Sequence, residues 1–345
     1  MKIYIKTFGC ALNKADSSFM ANFLKDHNFL MVGSQEEADY VIVNSCGVKS
    51  RTQDRVLSYV KKIKSSGKKV YVGGCLPKML KGKIDADGLF DTNSITKLLD
   101  ILNGEKVIFS DVKEDKLNIS PEKDLAIIPI AEGCLNRCNY CSVKNIRGNL
   151  KSYPKEKIIN KIKEVLAKGV DKIYLTAQDT GCYGKDINED LISLLKEIIK
   201  LKGNFKIRLG MANPEYILPI AEDLVEIYKA DKMIKFIHIP IQSGSDKVLK
   251  EMNRNYKVKE FIRLVKLFRK NIKDITISTD IIVGYPTETD EDFEKTLEFI
   301  EKIKPEVVNL SKFTPRPNTP ASRLKQLSSE TIKERSKKIS EKIKV

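Results

Sequence analysis

The stretch DYVIVNSC, residues 39–46, decides the fold of the first third of the chain. It is a short, apolar, β-branched run bounded by polar residues, which is typical of a buried strand. KIYIKTFG (2–9) and KKVYVGGC (68–75) repeat this pattern on either side of it. Helical spacing lies between these runs, from about Asp16 to Asp26 and from about Ser50 to Ser65. The order βαβαβ predicts an α/β domain with a doubly wound parallel sheet.

The rest of the chain resumes the alternation of strands and helices after a break. SDVKEDKLNISPEKD (110–124) is polar and contains Pro121, so we place a linker at residues 106–123. It separates domains at residues 1–105 and 124–345. The second domain contains six strand-like runs: LAIIPIAEG, KIYLTAQD, FKIRLGMANP, KFIHIPIQ, ITISTDIIVGYP and EVVNLSKFTPRP. Six βα units predict a partial (β/α)6 barrel, with its chemistry at the C-terminal ends of the strands.

The composition restricts the location and the partners. No apolar run has the length that spans a bilayer, and the apolar stretch in MKIYIKTFGC is too short for a secretory signal. We therefore expect a cytoplasmic protein, no membrane partner and reduced thiols. Lys and Arg outnumber Asp and Glu by 62 to 46, which gives a net charge of +16 and favours nucleic acid as a partner. A lysine-rich surface of a heat-adapted protein is the alternative.

Three cysteines stand close together in EGCLNRCNYCSVKNIRGN (132–149). Cys134, Cys138 and Cys141 have the spacing C-x3-C-x2-C, with no fourth cysteine and no histidine nearby. Structural zinc sites take four protein ligands, so a zinc site here would have to borrow a distant one. A [4Fe-4S] cluster held by three thiolates keeps one iron open for a small molecule. With Tyr140 before the last cysteine, the motif resembles the radical-SAM signature, in which S-adenosylmethionine (SAM) binds that iron.

Three further cysteines are scattered along the first domain. Cys10, Cys46 and Cys75 each follow a predicted strand, and each has a glycine close by. Because the C-terminal ends of parallel strands meet at one edge of a sheet, we expect the three thiols to lie together. This arrangement predicts a second three-cysteine cluster. Three independent buried thiols are the alternative.

The two cysteine sets together resemble the methylthiotransferase family of radical-SAM enzymes over nearly the whole chain. TFGCALNKADS, ADYVIVNSCGV and VGGCLP are similar to the family's first three motifs. HIPIQSGSDKVLKEMNR, TDIIVGYPTETDEDF and FTPRPNTPA follow in the family order. RGNLKSYP, TAQDTGCYGKDI and RLGMANPEYIL most resemble the archaeal and eukaryotic branch, which acts on N6-threonylcarbamoyladenosine beside the tRNA anticodon.

The resemblance implies two [4Fe-4S] clusters, SAM and tRNA. The cluster of Cys134, Cys138 and Cys141 would cleave SAM to a radical that abstracts hydrogen from C2 of the adenine. The cluster of Cys10, Cys46 and Cys75 would deliver sulfur, and a second SAM would donate the methyl group. The sulfur source and the electron donor are not implied. Family members usually continue with a small β-rich RNA-binding domain, which we expect to be absent from this chain, since it stops at Val345.

Further site residues follow from the strand ends and from the basic segment after the cysteine loop. The expected contacts to SAM come from residues at or near strand ends and from the aromatic residue of the motif: Tyr140, Gln178, Asp179, Arg208, Gln242 and Asp280. Each of the strand-end residues could instead cap a helix or close a strand end. The expected substrate contacts are Arg147, in a lysine-rich stretch, and Asn13 and Asp16, which could also cap a helix.

Three other functions remain open from the sequence. A methylthiotransferase that modifies a ribosomal protein would share the chemistry but not the substrate. A non-enzymatic zinc protein that binds nucleic acid would contain zinc without labile sulfide. A radical-SAM enzyme with one cluster would keep its iron when Cys10, Cys46 and Cys75 are replaced.

Overall fold

A computed structural model describes residues 1–47, 50–80 and 82–343. The chain divides into two compact units that do not follow sequence order alone. The first unit comprises Met1–Cys134 and Val143–Gln178. The second comprises Leu135–Ser142 and the described part of Asp179–Val345. The predicted domain limits, 1–105 and 124–345, remain a prediction.

The described residues of the first unit form ten strands and six α-helices. They are β1 (Lys2–Thr7), α1 (Ala11–Asp26), β2 (Leu30–Met31), β3 (Tyr40–Ser45), α2 (Ser50–Ser65), β4 (Lys69–Gly74), α3 (Leu76–Met79), β5 (Gly88–Phe90), α4 (Leu98–Leu102), β6 (Val107–Ile108), β7 (Leu125–Pro129), β8 (Ala131–Glu132), α5 (Val143–Arg147), β9 (Lys151–Ser152), α6 (Lys155–Ala167) and β10 (Lys172–Thr176).

Six of these strands form one parallel sheet in the order β2-β1-β3-β4-β5-β6. The strands at its centre, β3 and β4, are buried on both faces, which explains their continuous apolar runs. Val41 and Val43 pack with Val56 and Val60 of α2 in the core. From β1 the chain runs first to β2 on one side and then to β3 on the other, so the strand order reverses at β1. Ligands of such sheets bind at this switch point, outside the C-terminal ends of the strands.

The other four strands of this unit pair separately. β7 and β10 are parallel, and β8 pairs antiparallel with β9. Helix α1 packs against both the large sheet and β7. The strands β2, β5, β6 and β9 were not predicted from the sequence, and β6 lies inside the stretch that we expected to be a linker.

Four strands and seven α-helices occur in the part of the second unit that the structure describes. They are α7 (Leu191–Lys200), β11 (Lys206–Leu209), α8 (Pro214–Ile217), α9 (Ala221–Lys229), β12 (Phe236–His238), α10 (Asp246–Glu251), α11 (Val258–Asn271), β13 (Thr276–Val283), α12 (Asp290–Ile303), β14 (Val307–Lys312) and α13 (Ser329–Ile343).

Strands β12, β13 and β14 form a parallel sheet in this order. All six strand-like runs predicted after residue 124 contain a strand: β7, β10, β11, β12, β13 and β14. Helices separate them, as the alternating pattern requires. Among the described residues, no helix is both long and apolar enough to cross a membrane.

Candidate functional site

The three scattered cysteines lie at one edge of the six-stranded sheet. Cys46 and Cys75 directly follow β3 and β4, and Cys10 stands three residues after β1. The backbone N–H of Cys75 donates to the carbonyl of Ser45 at 2.8 Å, which places Cys75 beside Cys46. Cys10 and Cys75 are near enough to interact electrostatically. The strand ends therefore bring together the thiols that the sequence separates.

Asn13 and Gly74 hold this edge in shape. The Cys10 thiol donates to Oδ1 of Asn13 at 3.3 Å, and Nδ2 of Asn13 donates to Oδ1 of Asn44 at 3.2 Å. Asn13 thus connects Cys10 to the end of β3. Gly74 has φ +92°, and a Cβ there would lie 2.5 Å from the carbonyl oxygen of Ser45. Only glycine permits this close approach directly before Cys75.

Four of the charged side chains buried in the first unit pair with one another. We call Asp16, Lys116, Glu132 and Arg147 the buried charge cluster; each is at most 2 % exposed. The Arg147 Nη2 donates to Asp16 at 2.6 Å, and the Lys116 ammonium donates to Asp16 at 3.4 Å and to Glu132 at 2.7 Å. Two cations and two carboxylates give a neutral set, as burial of charge requires.

The charge cluster is coupled to the cysteines. Burial opposes ionisation of Asp16, but Arg147 and Lys116 outweigh it and hold the pKa of the carboxyl below its ordinary value. The Arg147 guanidinium also interacts with Cys75 and Cys10. Burial by the surrounding protein raises the pKa of the Cys10 thiol, although the residue itself is solvent-exposed, and Arg147 opposes this rise.

Asn13, Asp16 and Arg147, the three expected substrate contacts, are all buried. Helix α1 begins at Ala11 with Cys10 as its N-cap, so neither Asn13 nor Asp16 caps it. A contact of these residues with substrate stays a prediction, since their present partners are protein groups. Lys116 and Glu132 complete the buried charge cluster. They were not predicted as site residues, because no local sequence pattern distinguishes them.

The C-x3-C-x2-C loop is divided between the units. In the first unit, Cys134 follows β8; its N–H donates to the carbonyl of Gly148 at 3.3 Å, and Lys144 Nζ donates to its carbonyl at 3.0 Å. In the second unit, the N–H of Cys141 donates to the carbonyl of Cys138 at 3.0 Å. This turn fixes the spacing of the last two cysteines.

Within the second unit, the end of α10 and the turn after it are hydrogen-bonded to the loop segment 135–142. The backbone N–H of Asn139 donates to the carbonyl of Met252 at 3.0 Å, and its side-chain amide donates to the carbonyl of Glu251 at 2.8 Å. Asn253 donates in return to the carbonyl of Arg137 at 2.8 Å. Tyr140 packs into an apolar pocket formed by other side chains of this unit: Val248, Met252, Tyr285, Phe313 and Ala321. The aromatic position of the motif therefore anchors the loop.

Asp179 connects the same loop to the strand-end region. Its carboxylate accepts from Nδ2 of Asn136 at 2.9 Å and from the backbone N–H groups of Gly181 and Asn213, both at 3.0 Å. Burial raises the pKa of this carboxyl to about 6, although the three donors favour the charged form. Asp179 is thus an N-cap as well as an expected SAM contact.

Polar side chains come together on the sheet β12-β13-β14. Asp280 Oδ1 makes hydrogen bonds with Nε2 of His238 at 2.9 Å and with Nδ2 of Asn309 at 2.8 Å. Gln242 has φ +76°, and its buried Oε1 has no hydrogen-bond partner among the described residues. Arg208 stacks on the Phe236 ring, 4.0 Å from its centroid.

His238 and Asn309 were not foreseen, although both occupy strand positions. Their register with β13 is the signal that could have found them, because Asn309 lies opposite Asp280 and His238 opposite Ser278. In the first unit, Oε1 of Gln178 is also buried without a partner in the described chain. No set of three or more His, Cys, Asp or Glu side chains in the described residues is gathered closely enough for a single metal ion. The three thiolates of a [4Fe-4S] cluster bind three different irons, so they do not need to converge on one point.

Two family models match the chain. The radical SAM superfamily matches residues 128–300, and Uncharacterized protein family UPF0004 matches residues 2–92. A probable threonylcarbamoyladenosine tRNA methylthiotransferase of Pyrococcus abyssi is 43% identical over 98% of this chain and 82% of its own length. The probable threonylcarbamoyladenosine tRNA methylthiotransferase of Methanocaldococcus jannaschii is 41% identical over 97% of this chain and 81% of its own length. The threonylcarbamoyladenosine tRNA methylthiotransferase of Homo sapiens is 36% identical over 98% of this chain and 62% of its own.

Solved structures show the same fold at low identity. The radical S-adenosylmethionine methyltransferase TsrM of Kitasatospora setae superposes with a TM-score of 0.67 at 13% identity, over 93% of this chain and 75% of its own. The cobalamin-dependent S-adenosylmethionine radical enzyme OxsB superposes with a TM-score of 0.61 at 13% identity, over 99% of this chain and 56% of its own. The predicted α/β class, with an N-terminal doubly wound parallel sheet followed by a partial (β/α)6 radical-SAM barrel, is confirmed.

Proposed function

The chain belongs to the threonylcarbamoyladenosine tRNA methylthiotransferase family, and on this premise we propose how its residues carry out methylthiolation of tRNA. The substrate is N6-threonylcarbamoyladenosine next to the anticodon, and C2 of its adenine receives the methylthio group. When bound, two [4Fe-4S] clusters and SAM supply the electron, the radical, the sulfur and the methyl group. The protein binds and orients these groups.

The first cluster is assigned to Cys10, Cys46 and Cys75. This juxtaposition is the observation that carries the proposal, because an enzyme with a single cluster does not need a second set of thiols. The donor set fits a [4Fe-4S] cluster: three thiols at one sheet edge leave one iron open. The Arg147 guanidinium interacts with two of them, and its buried Nη1 has no hydrogen-bond partner among the described residues. Such a donor suits the negative charge of a thiolate-bound cluster.

The second cluster is assigned to Cys134, Cys138 and Cys141. The donor set is again three thiols, and Arg254 Nη1 donates to Cys138 Sγ at 3.4 Å, a contact that fits a thiolate. We assign SAM to the strand ends of the barrel. The orphaned Oε1 of Gln242 is a buried acceptor that fits the ammonium or a ribose hydroxyl of SAM. Gln178, Asp179, Arg208 and Asp280 are proposed as further contacts to SAM, and Tyr140 anchors the loop.

The charge of the chain supports the RNA substrate. A net charge of +16 attracts a polyanion and makes its affinity depend on salt. We place the enzyme in the cytoplasm, where its tRNA substrate and a reducing environment coexist.

The deciding experiment uses anaerobically reconstituted protein with SAM, a reductant and sulfide. tRNA that carries threonylcarbamoyladenosine is added, digested and analysed by mass spectrometry of its nucleosides. A gain of one methylthio group on that nucleoside is expected. Formation of 5′-deoxyadenosine without a modified nucleoside would refute the RNA substrate and favour a ribosomal protein. The absence of both products would refute the radical-SAM assignment.

The two clusters are tested separately by iron content. Replacing Cys10, Cys46 and Cys75 by alanine should remove about half of the iron. The matched control is Cys182→Ala, which removes a buried thiol outside both sets and should leave the iron content unchanged. If the triple variant keeps all its iron, the first cluster is wrongly assigned.

A further inference from the structure

Arg254 is a buried cation beside the cysteine loop. It lies in the turn between α10 and α11 and is 8 % exposed. Its Nε donates to the Tyr256 hydroxyl at 2.8 Å, its Nη2 to the carbonyl of Pro240 at 3.2 Å, and its Nη1 to Cys138 Sγ at 3.4 Å. All three of its nitrogens are therefore engaged, and one of them is aimed at a cluster ligand.

In the described chain the guanidinium contacts no carboxylate directly, although the Asp179 carboxylate interacts with it electrostatically at longer range. No Asp or Glu of the described chain lies within salt-bridge distance of Arg254, whereas two other buried arginines have such partners. Arg147 pairs with Asp16, and Arg335 pairs with Glu288 at 2.7 Å. Arginine stays charged in proteins, and an unpaired buried charge is costly. A buried charge of this kind favours a negative group beside it, and the Cys138 sulfur becomes such a group when it binds a cluster as a thiolate.

The turn that carries Arg254 is rigidly attached to the loop. Asn253 adopts φ +57° and donates its side-chain amide to the carbonyl of Arg137. The backbone N–H of Arg254 donates to the carbonyl of Leu249 at 2.9 Å. Because Asn139 is bound to this turn as well, the guanidinium and Cys138 are held in one frame. The contact is built by the fold and does not depend on a mobile side chain.

We propose that Arg254 is a positioning residue of the radical-SAM cluster, which acts through Cys138 to stabilise the reduced state of that cluster. This inference rests on the proposed function, because it takes Cys138 as a ligand. Reduction adds one negative charge to the cluster. A fixed cation at hydrogen-bond distance from a ligand sulfur favours that charge, and hydrogen bonds to the sulfurs are among the factors that set cluster potentials. Arg254 therefore makes the cluster easier to reduce.

The test measures a reduction potential and not activity. The parent is the Cys10→Ala/Cys46→Ala/Cys75→Ala variant, which keeps one cluster only. Its midpoint potential is determined by titration with electron paramagnetic resonance of the reduced cluster, without SAM. Arg254→Gln keeps a hydrogen-bond donor but removes the charge, and Arg254→Lys keeps the charge. Arg269→Gln is the matched control, since it removes an arginine of the same unit that has its own carboxylate, Glu306, at 2.8 Å.

We expect Arg254→Gln to lower the reduced-to-oxidised ratio at a fixed potential at least tenfold, which is about 59 mV for one electron. Arg254→Lys should restore most of this loss, and Arg269→Gln should match the parent. Equal midpoints for the parent and Arg254→Gln would overturn the inference, as would an equal shift in Arg269→Gln. If Arg254→Gln takes up no iron, the Arg254→Lys variant provides the test. If its cluster is loaded but has a reduced-to-oxidised ratio tenfold lower than that of the parent, the inference is refuted. If the ratio equals that of the parent, the inference is supported.

Failure of the inference differs from failure of the proposed function. A parent that takes up no iron would overturn the assignment of the second cluster itself, and the inference with it. A loaded parent whose midpoint is indifferent to Arg254 would leave that assignment standing and overturn the inference alone.

Discussion

Loss of the Asp16 carboxylate should strongly destabilise the first unit, because Asp16 balances two buried cations. In Asp16→Asn, Lys116 keeps its bond to Glu132 at 2.7 Å, but Arg147 loses the carboxylate that it contacts at 2.6 Å. The cluster changes from neutral to a net charge of +1 in a place where each member is at most 2 % exposed. The amide cannot restore the missing charge.

The size of the effect follows from this geometry. Breaking a buried ion pair by removing one partner costs about 3–5 kcal/mol, since the other charge remains buried. This is a large part of the roughly 5–15 kcal/mol that stabilises an ordinary domain. For a folding unit of this size, the melting temperature should fall by roughly 10 °C. Because the pKa of Asp16 is lowered on folding, its contribution is complete above the ordinary value of 3.8 and is lost as the pH falls below it.

The assay is chemical unfolding of metal-free, reduced protein, followed by circular dichroism. Metal-free protein is used so that cluster loss does not add to the result. The double variant Asp16→Asn/Arg147→Met removes both charges of the pair. It should be less destabilised than the sum of the single variants, by about 0.5–3 kcal/mol.

A loss below about 1 kcal/mol in Asp16→Asn would refute the reasoning, as would strict additivity in the double variant. Lys157→Ala is the control, because it breaks a solvent-exposed ion pair with Asp115. Exposed pairs contribute little, so the unfolding midpoint of this variant should stay close to that of the wild type.

Three further predictions concern single residues. Folding raises the pKa of Asp179 to about 6 from its ordinary value of 3.8, so between these pH values the folded state keeps a proton that the unfolded chain has lost. The free energy of unfolding should therefore fall by about 3 kcal/mol as the pH rises from about 4 to 6. In urea titrations, Asp179→Asn should flatten this part of the pH profile. Gly74→Ala places a Cβ 2.5 Å from the carbonyl oxygen of Ser45 at φ +92°. We expect the free energy of unfolding to fall by at least about 2 kcal/mol, and less iron to bind after reconstitution. A variant with the stability and the iron content of the wild type would contradict this. Asn139→Ala loses the side-chain hydrogen bond to the carbonyl of Glu251, worth about 0.5–1.5 kcal/mol. The visible absorbance of the reconstituted variant should bleach faster with a chelator than that of the wild type. Equal rates would show that this hydrogen bond does not help to hold the loop.

The parallel sheet of the first unit could be predicted because its central strands, β3 and β4, are buried on both faces. Their side chains are apolar without alternation, and such a run is recognisable from sequence. The position of Cys46 and Cys75 at one edge then follows from parallel topology. By contrast, β2 and β6 have two residues each, which is too short for any periodicity to appear.

The charged partners could not be predicted, because tertiary folding alone brings them together. Arg147 meets Asp16 across 131 positions of sequence, and Arg254 meets Cys138 across 116. Arg147 stands in a lysine-rich stretch, where a surface contact with phosphate is the natural expectation. Its burial depends on Asp16 of α1, and no local pattern reveals such a pair.

The buried charge cluster also constrains how the chain matures during synthesis. The cysteines of the first sheet have all left the ribosome once Cys75 has emerged, and their strands could already pair. At that moment Asp16 has neither Lys116 nor Arg147, and α1 lacks β7, against which it packs. A nascent sheet without these later residues leaves the Asp16 carboxylate without its two counter-ions. We therefore expect stable closure of this edge to wait until Arg147 has been made, so that the sheet does not mature as an autonomous first third of the protein.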